Sequence, residues 1–84
     1  MWNEVKSRIT RAIGGTIYSI YGEVAFKLNY IDGVVYFTLF DRPSKHKNKK
    51  VISEHSFRYD MRNKDKYTII HDIVFELEKH ILCQ

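Results

Sequence analysis

The sequence predicts a small α+β domain in the order α-β-β-β-α, with two helices packed on one face of an antiparallel sheet. Two stretches with apolar residues at helical spacing lie near the ends of the chain. Between them, a turn dipeptide separates two runs with the alternating pattern of a strand, and a third run of this kind follows. The chain has 84 residues, of which 44% are hydrophobic and 14% aromatic. This composition is too apolar for intrinsic disorder, and the length suits one domain over residues 1–84.

The first helix is predicted by an apolar stripe with three- and four-residue spacing: Trp2, Val5, Ile9, Ala12 and Ile13. We predict that Gly14-Gly15 ends it, because glycine tolerates the left-handed conformation that follows many helices. The β-branched and aromatic run over residues 16–21 then favours a short strand. The alternative is a helix that continues to Tyr21, since Ile17 and Ile20 extend the stripe, at a cost of about 1 kcal/mol per glycine.

A β-hairpin is the clearest prediction, because Asp32-Gly33 is a type I′ turn dipeptide between two apolar runs. A two-residue loop pairs Ile31 with Val34 and thereby sets the register of the whole hairpin. The predicted core face contains Val24, Phe26, Leu28, Tyr30, Val35, Phe37 and Leu39. The opposite, outer face contains Ala25, Lys27, Asn29, Ile31, Val34, Tyr36, Thr38 and Phe40.

A polar, basic loop is predicted over residues 41–50, where Pro43 ends the second strand. A third strand follows over residues 51–59, with one face formed by Val51, His55, Phe57 and Tyr59. After a second polar connection, Asp65 or Thr68 caps a last helix. The apolar stripe of that helix consists of Tyr67, Ile70, Ile73, Val74, Leu77 and Ile81.

Several classes of protein are disfavoured by the sequence. No apolar run reaches the roughly 18–20 residues that span a bilayer, and the charged N-terminus is unlike a secretory signal, so we expect a cytoplasmic protein without a membrane partner. Cys83 is the only cysteine, which leaves no internal disulfide. No two histidines have zinc-binding i, i+4 spacing, and no phosphate loop or nucleophile motif is present. We therefore expect no metal, no cofactor and no enzymatic activity.

Charge is concentrated in the middle of the chain. Residues 42–66 contain nine Lys or Arg and three acids, whereas the remaining 59 residues contain five and seven. A local basic surface attracts polyanions, so we predict a nucleic-acid-binding protein that makes mainly phosphate contacts, with DNA and RNA both open. The predicted phosphate-binding residues are Arg42, Lys45, Lys47, Lys49, Lys50, Arg58, Arg62, Lys64 and Lys66. Tyr36 and Phe40 on the outer sheet face are predicted to stack on bases.

The alternative is a small inhibitor or adaptor that binds a larger protein, of the kind that phages and mobile elements encode as accessory proteins. Trp2, Tyr18 and Tyr21 would be its anchors, because Trp and Tyr dominate binding hot spots. The competing interpretation of Trp2 is that it packs on the core as the first member of the helix stripe. A homodimer through the outer sheet face is compatible with either function.

Overall fold

The computed structural model describes residues 1–41 and 50–83. Its elements are α1 (Trp2–Tyr21), β1 (Ala25–Ile31), β2 (Val34–Phe40), β3 (Val51–Arg58) and α2 (Lys66–Leu82). The strands form one antiparallel sheet in the order β1-β2-β3. Both helices contribute to a single core with one face of this sheet. The predicted α-β-β-β-α fold is confirmed.

Helix α1 continues through the glycine pair, so the predicted stop at Gly14-Gly15 is wrong. The reason is burial beyond the glycine pair, since Ile17 is almost fully enclosed. Burying an isoleucine contributes about 1.5–3 kcal/mol, which offsets the low helix propensity of two glycines. The helix ends at Gly22, which has a φ of 74° and donates its N–H to the Tyr18 carbonyl at 2.9 Å.

The hairpin has the predicted register, in which Ile31 lies opposite Val34 and Leu28 opposite Phe37. Asp32 and Gly33 both have positive φ, 52° and 77°, as a type I′ turn requires. The predicted core face is buried or partly buried along its length.

One irregularity in β3 changes a predicted face. Leu39 lies opposite Ser53 but Phe40 lies opposite Val51, so Ile52 is an extra residue in the strand. Such a β-bulge moves the residues beyond it to the other face. Val51 therefore joins the outer face with Phe40, and the prediction that it shares a face with His55 is wrong.

The core is built from one apolar stripe of each helix and the inner face of the sheet. Its fully buried members are Val5, Ile9, Ile13, Ile17, Leu28, Val35, Phe37, Leu39, Ile69, Ile73, Leu77 and Ile81. Tyr67 is 62% exposed, because Ile69 takes the core position at the start of α2. Asp65 is the N-cap and accepts a hydrogen bond from the Thr68 N–H at 2.7 Å. Trp2 packs against the core, with its ring 5.4 Å from that of Tyr30.

The two ends of the sheet have different neighbours. At the hairpin end, which contains the Asp32-Gly33 turn, Trp2 contacts Tyr30 and both helices begin. The ion pair between Glu4 and Lys66 joins their first turns at 2.8 Å. At the opposite end, the Asp41 N–H donates to the Lys50 carbonyl at 2.7 Å. We call this second end the loop end, because residues 42–49 connect these two positions.

Candidate nucleic-acid interface

Two of the predicted cations, Lys50 and Arg58, lie at opposite ends of the sheet. Lys50 immediately precedes β3 at the loop end, and Arg58 is the last residue of β3 at the hairpin end. Eight residues of extended strand separate these two side chains by about 26 Å. Among the described cations, Lys50 therefore lies well apart from those at and after the end of β3.

Residues 42–49 account for the whole formal net charge of the protein. Arg42, Lys45, Lys47 and Lys49 lie outside the described residues, and Lys50 is exposed. Residues 42–49 contain four cationic residues and no acid, whereas the rest of the chain contains ten of each, and the formal net charge is +4. The segment begins and ends at the same end of the sheet, because Asp41 and Lys50 are hydrogen-bonded.

At the hairpin end, two of the predicted cations are paired with the protein's own carboxylates. The Arg62 guanidinium donates to both carboxylate oxygens of Asp60, at 3.0 Å from Nε to Oδ1 and 3.0 Å from Nη2 to Oδ2. These hydrogen bonds lower the pKa of Asp60 to about 2. The Lys66 ammonium donates to Glu4 and thereby lowers the pKa of that carboxyl. The charges of Arg62 and Lys66 are thus matched within the domain.

Lys64 belongs to an aromatic and hydrogen-bonded network at the same end. Its Nζ lies 4.3 Å from the centre of the Tyr59 ring, a cation–π distance. The Tyr59 hydroxyl donates to Asp72 Oδ2 at 2.6 Å, and the Tyr30 hydroxyl donates to the Tyr59 carbonyl at 2.8 Å. Burial, followed by the Asp72 hydrogen bond, raises the pKa of Tyr59. This network ties β1, the end of β3 and α2 together.

The outer face of the sheet presents the two predicted aromatic residues. Tyr36 lies in the middle of β2 and is 43% exposed, and Phe40, at the end of β2, is half-buried. The residues directly opposite Tyr36 are Asn29 on β1 and Ser56 on β3. The core and both helices lie on the other side of the sheet.

Two cations flank Tyr36 on the neighbouring strands. Lys27 lies opposite Thr38, and Arg58 lies opposite Val34, so each is a diagonal neighbour of Tyr36. Both side chains are exposed. Lys27 is absent from the predicted site, although the Asp32-Gly33 register already places it on this face. The missed signal was its position relative to Tyr36, because charge was counted along the chain rather than across the sheet.

His55 and His80 lie at the interface between β3 and α2. The rings of His55 and His80 stack with their centroids 4.5 Å apart and an angle of 9° between their planes. His55 Nε2 lies 3.3 Å from Glu76 Oε1. Among residues 1–41 and 50–83, no three His, Cys, Asp or Glu side chains are grouped so that they could hold a metal ion.

Comparison with protein-family models, curated proteins and solved structures found no match to the chain. Within the part of the chain that the structure describes, neither helix has the length and apolar character needed to cross a bilayer. The functional interpretation therefore depends on the geometry and charge of the residues themselves.

Proposed function

We propose that this domain binds nucleic acid, mainly through contacts between phosphates and the cations of the loop end. The observation that supports the proposal is the charge distribution. Four cationic residues without an acid occur within residues 42–49, and the rest of the chain is formally neutral. Clustered cations release condensed counterions from a polyphosphate, which is the main source of non-specific affinity for nucleic acid.

The cations at the hairpin end are expected to contribute less to phosphate binding. Arg62 and Lys66 must give up contacts with Asp60 and Glu4 before they can bind a phosphate, whereas Lys50 is exposed. Lysine is more frequent than arginine in residues 42–50, which suits phosphate contact better than bidentate recognition of bases. The proposed binding is therefore of low sequence specificity.

A salt series tests this function. The affinity of the wild-type protein for labelled single-stranded and duplex oligonucleotides is measured by fluorescence anisotropy at increasing NaCl concentrations. The logarithm of the affinity is expected to fall linearly with the logarithm of the salt concentration. The slope is about 0.9 per phosphate contact for duplex DNA and about 0.7 per contact for single strands. Replacing Lys47, Lys49 and Lys50 with alanine is expected to lower the duplex slope by about 2–3 and to weaken binding without unfolding the domain.

The matched control removes three positive charges from helix α1 by replacing Lys6, Arg8 and Arg11 with alanine. These residues lie on the helical layer, so the control is expected to bind nearly as tightly as the wild type. Equal losses of affinity in both triple variants would show that only the total charge of the protein matters for binding. The proposal of a phosphate-binding site within residues 42–50 would then be wrong. Absence of binding even at 20 mM NaCl would exclude the function itself.

The alternative, binding of a larger protein, is favoured by a groove on the other side of the molecule. An open cavity of about 380 Å³ lies between the helices, lined by Ala12, Tyr67, Ile70, His71, Val74, Phe75 and Glu78. Phe75 is 63% exposed, and exposed aromatic residues often anchor protein interfaces. A protein partner would be retained from nuclease-treated lysate by the wild type and lost by Phe75→Ser. Material that disappears with nuclease treatment would instead exclude this alternative.

A further inference from the structure

The surroundings of Tyr36 differ from those of an ordinary tyrosine on a sheet. An aromatic side chain on a sheet face is stabilised by an aromatic or β-branched residue directly opposite. Tyr36 instead faces Asn29 and Ser56, which are short and polar. Among the described residues, no other side chain stacks on its ring or accepts its hydroxyl. Nearly half of its surface is exposed at the centre of the sheet.

The four diagonal neighbours of Tyr36 carry a net positive charge. Lys27 and Ile31 are the neighbours on β1, and Glu54 and Arg58 are those on β3. Neither Lys27 nor Arg58 forms an ion pair with a carboxylate of the described residues. Two strand spacings and four residues separate Lys27 from Arg58, which corresponds to roughly 16 Å across the face. An exposed ring thus lies between two cations that have no carboxylate partner among the described residues.

We infer that the outer sheet face binds single-stranded nucleic acid, with a base stacked on Tyr36 and neighbouring phosphates at Lys27 and Arg58. The inference rests on the proposed function and specifies its substrate class. A base can stack on a protein ring only when one of its faces is free, as in a single strand, whereas a duplex base is covered by its neighbours. Stacking tolerates any base, in agreement with the low specificity proposed above.

Tyr36 shares its face of β2 with Phe40, the second aromatic residue that is predicted to stack on bases. The two residues are about 13 Å apart. A single strand that lies over Tyr36 can therefore continue toward Phe40.

The test uses a labelled 12-nucleotide oligo(dT) and a labelled 12-base-pair duplex in 100 mM NaCl. Wild-type protein is expected to bind oligo(dT) more tightly than the duplex. Tyr36→Ala is expected to weaken oligo(dT) binding by roughly 5- to 150-fold, the effect of losing one stacked base, with little change for the duplex. Tyr36→Phe is expected to restore the affinity, because the ring is retained. Tyr36→Leu keeps an apolar side chain and is expected to bind as weakly as Tyr36→Ala.

The control is Tyr67→Ala, which removes an even more exposed tyrosine from the helical layer and is expected to leave both affinities unchanged. Glu54→Gln is expected to raise oligo(dT) affinity, since it removes the negative charge of a diagonal neighbour of Tyr36. Unchanged oligo(dT) binding by Tyr36→Ala, or tighter binding of duplex than of single strands, would overturn the inference and leave the proposed function standing. Binding of neither oligonucleotide, even at 20 mM NaCl, would overturn both.

Discussion

Replacing Gly14 and Gly15 with alanine is expected to stabilise the domain, because both glycines lie inside a continuous helix. A Cβ added at either position would meet no atom within 4 Å, so the substitution introduces no clash. Glycine in a helix interior costs about 0.8–1 kcal/mol relative to alanine, and part of this difference comes from the flexibility of the unfolded chain. The double variant should therefore gain about 1–2 kcal/mol, or roughly 5–15 °C in melting temperature for a domain of this size.

The assay is thermal and urea unfolding followed by circular dichroism at 222 nm. Gly33→Ala is the matched control, since its Cβ would also meet no atom within 4 Å but its φ is 77°. It should destabilise the protein by about 1–2 kcal/mol, the cost of a left-handed alanine. An unchanged or lower melting temperature for the Gly14/Gly15 double variant would refute the continuous helix and favour a break at the glycine pair.

Three further predictions concern the core, a cap and pH. Phe37→Ala should lower the free energy of unfolding by about 3–5 kcal/mol in urea titrations, and a near-neutral result would mean that the sheet faces are reversed. Asp65→Ala should cost about 0.5–2 kcal/mol through loss of the N-cap, whereas Asp65→Ser should retain most of the stability. Burial, and then the neighbouring His55, lower the pKa of His80, so the folded protein binds fewer protons than the unfolded chain. The contribution of His80 to the free energy of unfolding should therefore be fully present above a pH of about 6.5 and should decrease as the pH falls below that value. His80→Phe should reduce the difference in melting temperature between pH 7.5 and 5.5, and an unchanged difference would contradict this role.

Features set by neighbouring residues could be predicted from the sequence. The Asp32-Gly33 turn needs positive φ at two adjacent positions. This local requirement determined the register of the hairpin and the residues on each of its two faces. The period of the apolar residues likewise predicted α2, and Asp65 was one of the two residues predicted to cap it. The same register places Lys27 beside Tyr36, so this part of the candidate site could already be predicted from the sequence.

Other features depended on contacts between distant parts of the chain. Helix α1 passes through two glycines because Ile17 is buried in the core that the sheet and α2 complete, and local propensity contains no such information. The partner of Lys66 is Glu4, 62 positions away, so charge counted along the chain overestimated the free positive charge at the hairpin end. Only the assembled sheet separates Lys50 from Arg58, because an extended strand holds its two ends apart. Tertiary structure thus decided which cations remain available to a ligand, since burial and ion pairing are properties of the packed molecule.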